Sequence, residues 1–235
     1  MPGLEGKVAL ITGASRGIGL AIARALAVQG CALLITARDH GALEAASREL
    51  RSEKRVLAKP GDITKPGDVS ALLTLARDEF GRLDILINNA GISHPMASVE
   101  KLDPVVWESV IATNLTGMFL VTRAAIPLMQ SGSIIVNNIS VKAVFAGESA
   151  YCASKHGALA FTNTLREELR PKKIRVIALM PGATDTEIWN QFWPDAPRER
   201  MMSPQAVADS VVGALLLPPN ASVDELVINP VAGTL

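Results

Sequence analysis

Lys7 to Thr12 reads KVALIT, an apolar run that ends abruptly in glycine. Similar runs recur at 31–38 (CALLITAR), Val56 to Ala58, Leu83 to Ile87, Ser133 to Ile139, Ile174 to Met180 and Val223 to Ile228. Each is short, and most stop at Gly, Pro, Asn or Asp, which marks strands buried on both faces. Between the runs the apolar period changes to that of a helix: Ile18, Ile22 and Leu26, then Leu43, Ala46 and Leu50, then Val69, Leu72, Leu73, Ala76 and Phe80. Gly30 stops the first of these helices and Asp39 caps the second. Asp103-Pro104 opens a long helix that contains Asn114 and reaches Pro127, Tyr151 to Leu169 forms another, and Ser203-Pro204 opens the last. Seven strands alternating with about six helices predict an α/β chain, a doubly wound parallel sheet in a single domain over 1–235.

Composition supports this. Of 235 residues 49% are hydrophobic but only 4% aromatic, so the core must be Ala, Val, Ile and Leu, as under helices on a parallel sheet. Charges balance at 23 basic and 23 acidic with no long run of either sign, which argues against a nucleic-acid partner. No 18 consecutive residues are apolar, so no membrane-spanning helix is expected. The N-terminal stretch lacks a basic segment followed by an apolar one, so no secretory signal is expected. Cys31 and Cys152 make no CxxC pair and are expected as reduced thiols of a cytoplasmic protein. His40, His94 and His156 are scattered, and no metal site is expected.

Chemistry enters at the first strand end. Glycines fall at 13, 17 and 19 between a predicted strand and a predicted helix. Gly13 allows a tight turn, Gly17 a close approach of backbone to a pyrophosphate, and Gly19 close packing of helix on sheet, as in Rossmann-type dinucleotide sites. The helix N-terminus offers free N–H groups to the phosphates. At the end of the second strand, where a free ribose 2′-hydroxyl calls for a carboxylate, stand Thr36-Ala37-Arg38. A guanidinium there, with Arg16 in the turn, grips a 2′-phosphate, so NADP(H) is expected over NAD(H).

Tyr151 and Lys155 lie four apart on one face of a predicted helix. A nearby ammonium favours the phenolate and so pulls the tyrosine towards working pH. Ser140, at a strand end eleven positions upstream, is placed to hydrogen-bond the oxygen that the tyrosine serves. Taken alone, such a pair arises by chance on any helix.

Together, the glycine turn, Asn89-Ala90-Gly91 at a strand end, Asn114, Ser140 and the Tyr151/Lys155 pair resemble the short-chain dehydrogenase/reductase family over nearly the whole chain. The resemblance implies an NAD(P)-dependent oxidoreductase interconverting carbonyl and alcohol. Thr12, Gly13, Gly17 and Gly19 would form the dinucleotide turn, with Ser15, Arg16 and Ile18 as further contacts. Asp62 and Ile63 would flank the adenine, Arg38 would meet the 2′-phosphate, and Asn89, Ala90 and Gly91 would follow the ribose. Tyr151 would be the acid/base, Lys155 would lower its pKa and hold the nicotinamide ribose, and Ser140 would orient the carbonyl. Asn114 would hold a water linking Lys155 to solvent. Pro181, Gly182, Thr184 and Thr186 would fix the carboxamide.

One departure stands out: the family spaces serine and tyrosine more widely, so the loop at 141–150 is expected to reshape the pocket wall. The segment 186–202, with Trp189, Phe192, Trp193, Met201 and Met202, is expected as a substrate lid or as packing against core or neighbour. His94, Met96, Val141 and Phe145 are further pocket candidates, and Lys142 and Arg198 remain as possible clamps for an anionic substrate. The family also implies a homodimer or homotetramer through the helices bearing Asn114 and Tyr151, where small residues at 153–160 permit close packing. The competing reading is a non-catalytic NADP(H)-binding regulator of the same fold. Such a protein has no need of Asn114, Ser140, Tyr151 and Lys155 together.

Overall fold

The computed structural model describes residues 3–50, 55–140 and 144–233. Seven parallel strands form one sheet: β1 (Val8–Thr12), β2 (Ala32–Thr36), β3 (Val56–Ala58), β4 (Leu83–Asn88), β5 (Met129–Asn138), β6 (Arg175–Pro181) and β7 (Glu225–Ile228). Their order is β3-β2-β1-β4-β5-β6-β7, so the winding reverses between β1 and β4. A crevice therefore opens at the carboxyl ends of those two strands. The predicted α/β, doubly wound, Rossmann-type sheet is the observed one.

Along β1 all five residues are buried, but they face two ways. Ala9 and Ile11 join a core with α1 (Gly17–Val28), α2 (His40–Leu50) and α8 (Pro204–Leu215). Val8 and Leu10 join one with α3 (Pro66–Phe80), α5 (Met118–Ala125) and α6 (Ser149–Leu169). This double burial is why the strands read as unbroken apolar runs. The predicted caps are in place. Asp39 Oδ1 accepts from Ala42 N–H at 3.0 Å, Asp103 Oδ1 from Val105 N–H at 2.8 Å, and Ser203 Oγ from Ala206 N–H at 3.2 Å.

Boundaries differ in two instructive places. β5 begins at Met129, four residues before the predicted start, because its opening is a polar irregularity without a hydrophobic signature. There Ser133 Oγ accepts from Gln130 N–H and donates to Leu83 O, while Gly132 takes φ 92°. The long predicted helix is α4 (Pro104–Ile111) and α5 joined by a π-turn, Ala112–Gly117. Between Pro104 and Leu128 this stretch is long and apolar enough, by length and mean hydropathy of 1.3, to cross a bilayer. A search for unbroken apolar runs passes over it. In the fold it is a layer helix, with Thr113, Asn114 and Thr122 buried.

Candidate active site

The crevice is a cleft of about 970 Å³. Among the residues predicted for the cofactor and for catalysis, Thr12, Gly19 and Asn114 do not line it. All three sit immediately behind the wall. Gly13 takes φ 64°, and a Cβ on Gly19 would stand 2.3 Å from Gly13 O, so the turn and the start of α1 touch backbone to backbone. No side chain caps α1, and its first turn carries no acid. Its N–H groups and positive dipole end are thus unclaimed at the cleft, which suits an anionic diphosphate.

Asn89 does more than line the cleft. Its amide donates to Thr12 O and Gly13 O, both at 3.1 Å, and its Oδ1 accepts from Asn138 Nδ2 at 2.9 Å. Thr12 Oγ1 accepts from the N–H groups of Asn89 and Ala90. The glycine turn is thereby fastened to the ends of β4 and β5.

At the adenine end, Ala37 and Arg38 line the wall with Asp62 and Ile63. Burial works against ionisation of Asp62, but donation from the N–H and hydroxyl of Thr64, with the field of Arg38, holds its carboxyl below the ordinary range. Arg16 stands 3.8 Å from Asp39, both more than half exposed, so this pair adds little and leaves Arg16 movable.

The reactive end is built on α6. Tyr151 and Ser140 both line the cleft, close enough for Ser140 to act on the phenol. The short loop therefore does not separate the two; Val141 and Lys142, with the rest of 141–143, lie outside the described residues. Lys155 is buried and donates to Asn138 O at 2.9 Å. Its Nζ stands 5.5 Å from the centre of the Tyr151 ring. Burial, opposed by Ser140 and reinforced by Glu148 and Cys152, pushes Tyr151 up to about 12. Burial likewise pushes Lys155 down to about 8.

Asn114 occupies the π-turn. Its Oδ1 accepts from Ile92 N–H at 2.8 Å, and its amide donates to Ile92 O at 2.9 Å and Ser154 Oγ at 3.0 Å. Its side chain thus clamps the loop after β4 to α6. Ser154, Asn138 and Glu148 complete the site although sequence reasoning did not single them out. Asn138 had a signal, being the second Asn of a pair at a strand end, as Asn89 is.

The segment 186–202 folds over the cleft. Its residues 186–192, including α7 (Trp189–Phe192), form one wall. Trp189 is buried, lies 5.0 Å from Phe192 and 6.1 Å from Trp193 between ring centres, and donates from Nε1 to Thr184 O at 2.8 Å. Arg198 bonds Asp185, Thr186 O and Asn190, so it braces this wall and is not a substrate clamp. Phe145 lines the cleft, whereas Met96 is half exposed outside it and His94 is buried behind it.

Comparison with known proteins agrees with this geometry. Residues 7–197 match the family described as short chain dehydrogenase. An uncharacterised oxidoreductase of Staphylococcus saprophyticus is 32% identical over 97% of this chain and 99% of its own length. An alcohol dehydrogenase from the archaeon Thermococcus sibiricus, complexed with 5-hydroxy-NADP, superposes with a TM-score of 0.91 at 31% identity, covering 98% and 99% of the two chains. A 3-ketoacyl-(acyl-carrier-protein) reductase from Brucella melitensis, complexed with NADH, gives 0.86 at 32% identity over 97% and 99%. The chain belongs to the short-chain dehydrogenase/reductase family of oxidoreductases.

The buried ammonium makes a testable cost. Lys155 binds its proton less tightly folded, at about 8, than unfolded, near 10.5. Its penalty is therefore full below pH 8 and fades as pH rises to 10.5. Lys155→Met is expected to raise unfolding free energy at pH 7 by about 1–3 kcal/mol, with the gain shrinking by pH 10, in urea titrations at both pH values.

Proposed function

We propose that this protein is an NADP(H)-dependent carbonyl reductase acting by hydride transfer, with Tyr151 as its acid. The observation that carries the reading is Ser140 and Tyr151 together at the wall of a dinucleotide-shaped cleft, with buried Lys155 beside them. The nicotinamide, when bound, supplies or accepts the hydride. The diphosphate would rest on Gly13 to Gly19 and the N-terminus of α1, the adenine beside Asp62 and Ile63. Asn89 to Gly91, Lys155, Pro181, Gly182, Thr184 and Thr186 would hold the ribose and carboxamide. Ser140 and Tyr151 donate hydrogen bonds to the carbonyl oxygen as negative charge grows there, and Tyr151 passes its proton to it. The adjacent Lys155 ammonium then faces the phenolate left behind.

Arg38 and Ala37 beside the cleft, without a carboxylate at position 37, support the phosphorylated cofactor. Asp39 is engaged as the cap of α2 and beside Arg16. The segment 186–202 serves as the substrate-side lid of the single domain. Val105, Trp107 and Phe119, on the helix that carries Asn114, are 69%, 40% and 43% exposed. They support a homodimer or homotetramer built on that face.

Three measurements test these parts. Tyr151→Phe is expected to lower NADPH oxidation with a panel of ketones and aldehydes by at least about 100-fold while NADPH still binds. Turnover retained in that variant removes the assigned role, and a wild-type protein that binds NADPH but reduces nothing favours the regulator. Wild-type kcat/KM should favour NADPH over NADH, and Arg38→Ala should cut that preference by about tenfold, the loss of one charge-assisted phosphate contact; equal use of both cofactors overturns it. Light scattering after size exclusion should give a dimer or tetramer mass, and a monomer removes the assembly.

A further inference from the structure

Glu148 directly precedes α6 and lies about one helical turn ahead of Tyr151. It is 1% exposed, yet it lines the cleft. Its Oε2 accepts from Ser93 Oγ at 2.5 Å, whereas Oε1 has no hydrogen-bond partner among the described residues. It does not cap the helix, because no side-chain capping bond forms. Behind it His94 is 2% exposed. Its Nδ1 lies 2.8 Å from Pro95 O and so carries the hydrogen of that bond, while Nε2 has no partner among the described residues. The two side chains are near enough for His94 to act electrostatically on Glu148. A buried polar atom left unpaired is unfavourable, and one on a residue that lines a ligand cleft marks a place where the ligand supplies the partner.

We propose that Glu148 is the specificity-determining residue of this reductase, its free Oε1 receiving the hydroxyl of a hydroxy ketone whose carbonyl oxygen lies at Ser140 and Tyr151. The proposal rests on the carbonyl-reductase reading above. A hydroxyl fits because it can donate its hydrogen to an acceptor oxygen. Burial pushes the Glu148 carboxyl up, opposed by the Ser93 hydrogen bond and by His94. A carboxyl moved towards its neutral form favours a neutral donor over an ammonium. The apolar surroundings, Ile92, Phe145 and Phe192, agree. Residues three apart at a helix start place their Cβ atoms roughly 5–6 Å apart, so the hydroxyl belongs on the carbon next to the carbonyl or one further. Ser93 is itself positioned from the opposite wall, where its N–H donates to Gln191 Oε1 of α7 at 2.9 Å. The wall helix thus helps to aim Glu148.

The test compares ketones in which a hydroxyl replaces a methyl: 1-hydroxybutan-2-one with pentan-3-one, and 4-hydroxybutan-2-one with pentan-2-one. Wild-type kcat/KM should favour at least one hydroxy ketone over its partner by about tenfold or more. In Glu148→Leu that ratio should fall to within about threefold, mainly through KM, while Glu148→Gln, which keeps an acceptor oxygen, should restore most of it. NADPH fluorescence titration checks that each variant is folded. A wild type without preference, or a ratio that Glu148→Leu leaves intact, overturns the proposal. If neither pair is reduced with NADPH or NADH, the reductase reading fails by itself. The Glu148 assignment is then decided by saturation-transfer NMR of the same ketones on the protein with NADPH. A hydroxy-ketone signal lost only in Glu148→Leu supports it, and equal signals overturn it.

Discussion

Two neighbouring strands end in paired asparagines, and the site hangs from how those pairs meet across the sheet. Asn88 Nδ2 donates to Asn137 Oδ1 at 2.8 Å, and Asn138 Nδ2 donates to Asn89 Oδ1 at 2.9 Å. Outward from these bonds, Asn88 reaches Thr122 of α5 and Asn137 reaches Thr162 of α6, both buried. Asn89 fastens the glycine turn, and the carbonyl of Asn138 fixes Lys155. A phosphate cradle and a proton donor from distant parts of the chain are thus held to one sheet edge. Each of the four amide nitrogens is partnered, which makes the arrangement specific, while Asn88 Oδ1 and Asn138 Oδ1 find no partner among the described residues.

The same burial that orders the reactive groups sets their chemistry. Tyr151 and Lys155 share a desolvated corner, and each is driven towards its neutral form. Such shifts are the common fate of titratable groups gathered in a cleft. Glu148 follows the same rule one turn earlier on the helix. The short connection from Ser140 to α6 helps to crowd these groups. Phe145 N–H reaches Cys152 Sγ at 3.3 Å and Glu148 N–H reaches Phe145 O at 3.2 Å, so the described part of the loop folds back on the helix start.

Much of this was legible in the residues. Strand number, sheet class, the capped helix starts and the glycine turn follow from local pattern, because burial on both faces and turn chemistry each leave a mark within a few positions. Less visible were features that depend on a partner far along the chain. Ser154 looks like any small helical residue until Asn114 meets it from the π-turn. Arg198 looked free to clamp a substrate until Asp185 and Asn190 claimed it.

By itself the sequence determined the doubly wound sheet, the glycine turn at the end of β1 and the family to which the chain belongs. These rest on periodicity and on motifs whose physics is local. Only the tertiary structure decided which polar groups are satisfied. It placed Asn89 and Asn138 as braces, turned Asn114 inward as a clamp, and left one oxygen of Glu148 and one nitrogen of His94 without partners. Hydrogen-bond satisfaction and desolvation are properties of the assembled surroundings, and no stretch of chain contains its own surroundings.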